Sequence, residues 1–157
     1  MVSEAITLSW HEAAMASHVG WMRQVKALAS GRPDKHGFEG AGWSEHCEGA
    51  CGELALARSL NIYWDGSVDT FKAPDVGPVQ VRTRSRHNYE LLVRDADSDD
   101  EVFVLITGLC PAYRIHGWLS GREAKQTEFL QTYGNRPAAY FVPQSHLNLM
   151  KDLNLCR

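Results

Sequence analysis

Residues 9–29 carry the hydrophobic periodicity of an α-helix. Apolar or aromatic side chains recur every three or four positions: Trp10, Ala14, His18, Trp21, Val25 and Leu28. This spacing places side chains along one face of a helix. Ser9 and Glu12 have the spacing of a capping box, in which each side chain bonds a backbone N–H at the helix start. The pattern predicts a first helix over residues 9–29 that packs through this apolar stripe.

A second helix is predicted to begin at Ser44, which suits the N-cap position, and to continue to Arg58. Gly49, Gly52 and Glu53 share one face of this helix by i+3 and i+4 spacing. Each interior glycine costs about 1 kcal/mol of helix stability relative to alanine, so two of them beside an acid indicate a very close neighbour. Two interpretations stay open for Glu53: a functional carboxylate at that contact, or a solvent-facing acid on a helix packed tightly against a sheet.

The remainder of the chain alternates predicted strands with turns. The predicted strands are 62–64, 68–71, 79–86, 89–94, 102–108, 113–119 and 138–142. A further helix follows the capping box of Ser120 and Glu123 and closes near Gly134, and Ser145 caps a short C-terminal helix. This order predicts an α/β, or mixed α+β, fold with a mixed central β-sheet flanked by helices.

Composition and length narrow the class of protein further. The 157 residues fit a single domain with its core at about 44–143, and no apolar run of membrane-spanning length is present. A net charge of −3 argues against a non-specific nucleic-acid coat protein. Of the four cysteines, Cys47 and Cys51 lack a second close pair, and no secretion signal precedes them. Free thiols and a cytoplasmic location are therefore expected.

The segment before residue 79 places an acid at the entrance of a strand. Pro74 and Pro78 bracket Asp75, and two prolines with Gly77 exclude regular structure there. A short carboxylate in this position can face a cleft, or it can simply close a turn. Both interpretations of Asp75 stay open.

The strand over residues 79–86 concentrates positive charge. Side-chain alternation directs one set of residues to a single face: Gln80, Arg82, Arg84 and Arg86. Neighbouring arginines repel one another unless an anion lies over them, and a phosphate backbone is the economical candidate. The alternative is a solvated strand edge with surface salt bridges. His87 follows directly and extends the basic stretch.

The helix from Gly49 to Glu53, the turn Pro74–Asp75 and the strand segment Gln80-Val81-Arg82 together resemble the PD-(D/E)XK nuclease superfamily. The likeness covers about residues 44–119, and the chain looks similar to small phage or prophage members. Members of this superfamily share a restriction-endonuclease-like core, with a central sheet flanked by helices, and they cleave DNA or RNA with a divalent metal. The resemblance thus implies a fold of the same type as the one predicted from the order of elements.

The resemblance also implies site residues. Glu53 matches the helix acid, Asp75 the first strand acid, Gln80 the second acid and Arg82 the lysine. Mg²⁺ or Mn²⁺ would be held by Glu53, Asp75, the side-chain oxygen of Gln80 and the carbonyl of Val81. Two positions depart from the pattern: Gln80 removes a negative charge from the metal site, and Arg82 stays protonated and cannot act as a base.

The implied function is a divalent-metal-dependent nuclease that hydrolyses DNA phosphodiester bonds, with RNA as a further candidate substrate. Arg82 would contact the scissile phosphate, and flanking phosphates would be held by Arg84, Arg86 and His87. The alternative is a non-catalytic module for nucleic acid or protein built on the same fold, which Gln80 and Arg82 motivate. An unrelated α/β domain with a structural arginine strand is the third hypothesis.

Overall fold

The computed structural model describes residues 3–31, 42–68 and 73–155, which form two β-sheets and three α-helices. The strands are β1 Glu4–Thr7, β2 Val79–Arg84, β3 Leu91–Arg94, β4 Val102–Leu109, β5 Ala112–Ser120, β6 Leu130–Gln131 and β7 Ala139–Val142. The helices are α1 Trp10–Ala29, α2 Gly42–Ser59 and α3 Gly121–Ala124. Short 3₁₀ turns lie at Thr127–Phe129, Gln144–His146 and Met150–Asp152.

The first sheet has the strand order β1-β5-β4-β2, and the second has the order β3-β7-β6. β2 runs parallel to β4, whereas β5 is antiparallel to both β4 and β1, so the first sheet is mixed. The predicted α+β fold, with a mixed sheet flanked by helices, is therefore confirmed. Within the described chain, β2 lies at an edge of its sheet, so its outer backbone groups are open to partners from a turn.

The first sheet is buried on both faces, and β4 shows this most clearly. Val104 and Ile106 pack on the side of α2, in a core shared with Leu56. Phe103 and Leu105 point the other way and join the core of the second sheet: Leu91, Val93, Leu119 and Val142. Alternating side chains of one strand thus enter two cores, which is why residues 102–106 are continuously apolar.

The apolar stripe predicted for α1 is not the packing face of that helix, and this part of the prediction is wrong. Trp10 is 75% exposed and Leu28 is 60% exposed. The buried face carries small residues instead: Ala13, Ala16 and Gly20. A Cβ built on Gly20 would lie 2.5 Å from the Cα of Cys47, so the two helices approach too closely for large side chains. Hydrophobic periodicity does not reveal a helix contact that is made by glycine and alanine.

We expect Gly20→Ala to lower the free energy of unfolding by about 2 kcal/mol, because the added methyl group meets backbone atoms that cannot rotate aside. Urea denaturation measures this change. Gly49→Ala is the matched control, since a Cβ there meets no described atom within 4 Å. Alanine at that position should stabilise α2 by up to about 1 kcal/mol. Equal losses in both variants would contradict the close contact between α1 and α2.

Local signals at the element starts are confirmed in two places. Ser9 and Glu12 form the predicted capping box at α1, and Ser120 and Glu123 form the second one at α3. Cys47, Cys51 and Cys110 are free thiols, as expected, while Cys156 lies outside the described residues. Among the described residues, no helix combines the length and apolar character needed to cross a membrane.

Several element predictions are wrong. Residues 62–64 are not a strand, and their predicted partner, 68–71, lies mostly outside the described residues. The helix predicted to run from Ser120 to Gly134 ends at Ala124, and the C-terminal segment forms 3₁₀ turns in place of a helix. β1 had no sequence signal strong enough to predict it. Short elements of this kind depend on tertiary contacts more than on their own periodicity.

Candidate functional site

Glu53 directly follows Gly52, the residue at which α2 touches β2. A Cβ built on the neighbouring Gly52 would collide with Oγ1 of Thr83, so glycine allows the helix to rest directly on the strand. The close neighbour predicted from the two interior glycines is thus present at Gly52, while a Cβ on Gly49 would meet no described atom within 4 Å. Glu53 itself is only 6% exposed, and the solvent-facing interpretation of this acid is therefore wrong.

Two side chains hold the carboxylate of Glu53. Arg23 of α1 donates from Nη1 to Oε1 at 2.6 Å and from Nη2 to Oε2 at 2.9 Å, and the Trp64 indole donates to Oε2 at 3.0 Å. Nε of Arg23 also donates to the carbonyl oxygen of Ser67 at 3.0 Å. Burial lowers the pKa of Arg23, but its bonds to Glu53 outweigh burial, and the net effect is a raised pKa. Arg23 and Glu53 thus form a bidentate ion pair.

Asp75 is presented by a tight turn in front of β2. Its N–H donates to the carbonyl of Val79 at 3.0 Å, and Gly77 has a φ of +52°, which favours glycine. Oδ2 of Asp75 accepts a hydrogen bond from the N–H of Val81 at 2.7 Å. This bond pairs an outward N–H of the edge strand and holds the carboxylate against the sheet.

Asp75 and Glu53 lie close enough to influence each other electrostatically. Burial, followed by the negative charge of Glu53, raises the pKa of Asp75 from 3.8 to about 6. The N–H of Val81 and the charges of Arg82 and Arg23 oppose this rise. The charges of two acids from segments distant in the sequence therefore act on each other, with Glu53 buried and Asp75 half-buried. We call Glu53 and Asp75 the acid pair.

The two positions that depart from the superfamily pattern are bonded elsewhere in the protein. Nε2 of Gln80 donates to Oε1 of Glu101 at 3.1 Å. Arg82 donates to the carbonyl of Leu92 at 3.2 Å and pairs with Asp97 at 2.8 Å. These bonds direct both side chains toward the second sheet and its loop. Neither bond contributes to holding the acid pair.

Arg84 is also held internally. It donates to the carbonyl of Glu90 at 3.0 Å, and its guanidinium lies 4.6 Å from the ring centroid of Tyr89 and 5.8 Å from that of Phe141. Carbonyl oxygens, a carboxylate and aromatic faces thus replace the external anion that the sequence suggested over Arg82 and Arg84. The partners that the repulsion argument requires are thus present within the protein, and contact of Arg82 and Arg84 with phosphates stays a prediction.

The remaining basic residues of this stretch face solvent. Arg86 is exposed, with its guanidinium 5.7 Å from the ring centroid of Tyr89. His87 is exposed as well, and its Nδ1 lies 2.9 Å from Oγ1 of Thr107. These two side chains, predicted as contacts for flanking phosphates, remain accessible for that role.

The acid pair offers the hard oxygen ligands that Mg²⁺ prefers, and a cation would relieve the repulsion between its two charges. Across residues 3–31, 42–68 and 73–155, no group of three or more His, Cys, Asp or Glu side chains is arranged to hold a metal ion. A metal would therefore depend on the acid pair with neutral oxygens, predicted at Gln80 and Val81. Arg23 occupies both oxygens of Glu53, so the acid pair fits a cation once Arg23 has moved.

Sequence analysis missed Arg23 and Trp64, the two residues that bind Glu53. The signal that was present is general: a buried acid needs a cationic or hydrogen-bonding partner. The sequence offers many candidates for that partner, and neither of these two lies within a turn of Glu53. Only the packing of α1 against α2 identifies Arg23.

No protein-family model, curated protein or solved structure matches this chain. The likeness to the PD-(D/E)XK nucleases accordingly stays a hypothesis drawn from the sequence. Any functional conclusion has to come from the geometry of the site itself.

Proposed function

We propose that this protein is a divalent-metal-dependent nuclease that hydrolyses DNA phosphodiester bonds at the acid pair. The observation that supports the proposal best is that the charges of Glu53 and Asp75 act on each other, with Glu53 buried and Asp75 half-buried. Glu53 already has a cationic partner in Arg23. The charge of Asp75 therefore adds repulsion, and no structural contact described for Asp75 requires that charge. An acid with a pKa raised as that of Asp75 is raised is typical of sites that bind cations or transfer protons.

Each residue then has a distinct role. Glu53 and Asp75 would hold Mg²⁺ or Mn²⁺, with the carbonyl of Val81 as a neutral oxygen. Gln80 would add its side-chain oxygen after turning away from Glu101. Such a metal, when bound, polarises the phosphate and lowers the pKa of a bound water. With a pKa of about 6, Asp75 is mostly ionised at pH 7.5 and therefore carries the charge that attracts a cation. Arg23, once released from Glu53, is a cation positioned to neutralise charge on the phosphate.

One observation favours the non-catalytic alternative. The side chains at the second-acid and lysine positions, Gln80 and Arg82, are bonded to Glu101 and to Asp97, away from the acid pair. A site that uses them in catalysis would have to break those bonds. The module would then bind nucleic acid through its exposed basic residues, and the acid pair would remain from a catalytic ancestor.

A cleavage assay tests the proposal. We expect the purified protein to cut plasmid or single-stranded DNA with Mg²⁺ or Mn²⁺ and not with EDTA. Asp75→Asn should lower the rate by about 100-fold or more, because one anionic metal ligand is lost and the shape is kept. The matched control is Asp152→Asn, an exposed acid in the last 3₁₀ turn, which should cut normally.

Two results would count against this proposal. Cleavage that persists at the wild-type rate in Asp75→Asn would show that the acid pair is not the catalytic site. Nucleic-acid binding with no cleavage under either metal would favour the non-catalytic module.

A further inference from the structure

A second cluster of chemically active side chains lies at the far end of β2 from Asp75. Strand register places Arg84 of β2 opposite Thr107 of β4, and Thr107 opposite Arg114 of β5. Residues directly opposite one another in neighbouring strands share a face of the sheet. We call the group the basic–aromatic cluster, and its members are Arg84, Arg86, His87, Tyr89, Arg114, Tyr133, Arg136 and Phe141.

Arg84 is the centre of this cluster. Burial is the main cause that lowers its pKa, and the charge of Glu90, followed by those of Tyr89, Tyr133 and Arg136, also acts on it. Tyr133 packs edge-on against Phe141, with ring centroids 4.9 Å apart. Residues from β2, from the turn after it and from the segment before β7 thus converge on one guanidinium group.

The outer part of the cluster faces solvent. Tyr133 is 54% exposed, and four basic residues of the cluster are exposed as well: Arg86, His87, Arg114 and Arg136. The whole chain has a net charge of −3, so this concentration of positive charge is a local feature of the surface. Guanidinium groups pair readily with phosphates, and a basic patch of this kind attracts a polyanion.

We infer that the basic–aromatic cluster binds single-stranded nucleic acid. Grooves that bind single strands combine positive charge along the backbone with exposed aromatic rings, and stacking contributes about 1–3 kcal/mol per base. Tyr133 offers such a ring among the exposed cations. A duplex keeps its base faces stacked inside, so it would meet the charges of the cluster but gain nothing from the ring.

The inference deepens the proposed function, since it names the strand state of the nucleic acid that the acid pair would cut. β2 connects the two places: at about 3.3 Å per residue, Val79 and Arg84 are roughly 16 Å apart. Arg84 and the neighbouring Thr83, which contacts α2, lie on opposite faces of β2, so a single strand held at the cluster would pass around this edge strand to reach the acid pair. Binding itself needs no metal and no cleavage.

Fluorescence anisotropy in EDTA tests the inference. The probes are labelled single-stranded DNA of about 20 nucleotides, RNA of the same sequence, and the matching DNA duplex. We expect at least one single strand to bind about 10-fold more tightly than the duplex, with affinity that falls as salt rises. The double variant Arg86→Glu with Tyr133→Ala should weaken single-strand binding about 10-fold or more. Both side chains are exposed or half-exposed, and circular dichroism checks that the variant is folded.

Arg122→Glu is the matched control, because Arg122 is an exposed arginine of α3 with a side chain 72% exposed. This variant should bind as the wild type does. Equal or tighter binding of the duplex would overturn the inference, and so would wild-type affinity in the double variant of Arg86 and Tyr133. Tight single-strand binding by a protein that never cuts would support the inference and overturn the nuclease proposal.

Discussion

Arg23→Ala is expected to lower the free energy of unfolding by about 3–5 kcal/mol, because it leaves a buried carboxylate without its cation. Glu53 is 6% exposed, and after the substitution only the Trp64 indole would remain of its three recorded donors. An unpaired buried charge costs far more than a lost surface contact. Urea denaturation at pH 7.5 measures the change.

Glu53→Gln and the double variant complete a mutant cycle for this pair. Removing both charges should recover about 1–3 kcal/mol relative to the sum of the single losses. Arg122→Ala breaks the exposed pair with Asp100 and serves as the reference for a surface ion pair. Such a pair contributes about 0–1 kcal/mol to the free energy of unfolding. A loss of that size in Arg23→Ala would contradict the buried pair.

The same variant connects stability with metal binding. Arg23 and a cation at the acid pair compete for the oxygens of Glu53, so removing Arg23 should strengthen cation binding. Added Mn²⁺ or Mg²⁺ is therefore expected to raise the unfolding midpoint of Arg23→Ala more than that of the wild type. No metal effect on either protein would count against cation binding at Glu53.

The sequence predicted those features that are set by a few neighbouring residues. Ser9 and Glu12 define the start of α1 within one turn, and the capping box is present in the structure. The unbroken apolar run of β4 correctly indicated a central strand buried on both faces. Of the two interior glycines of α2 that indicated a close neighbour, Gly52 does rest on β2 and Gly49 does not. In each case the residues that carry the signal lie within one element.

Features that depend on which elements meet were not predictable in the same way. Trp21 and Leu28 of α1 have the spacing of a core stripe, yet the helix packs through Gly20 and its small neighbours because α2 comes so close. Nothing in the sequence indicated that Arg82 pairs with Asp97, from a loop fifteen residues later in the chain. Arg23 illustrates the same limit, since nothing local to Glu53 identifies its partner.

Asp75→Asn is expected to raise the free energy of unfolding at pH 7.5 by about 1–3 kcal/mol. The pKa of Asp75 is about 6 in the folded protein against 3.8 for an ordinary aspartate, so folding favours the protonated acid. Below pH 3.8 both states are protonated and the group has no effect. Between pH 3.8 and 6 the unfolded chain ionises first, and above about pH 6 the full destabilisation is present. Asparagine does not ionise, and its oxygen still accepts from Val81.

The gain should therefore be largest above pH 6 and should vanish near pH 4, which urea denaturation at both values will show. Asp152→Asn serves again as the control, because an exposed aspartate should give little change at either pH. A loss of stability in Asp75→Asn at pH 7.5 would mean that the carboxylate is a structural contact. A substitution that stabilises a protein and abolishes its activity indicates a functional site. If stability rises in Asp75→Asn while metal-dependent cleavage is lost, Asp75 serves the chemistry and lowers the folding stability.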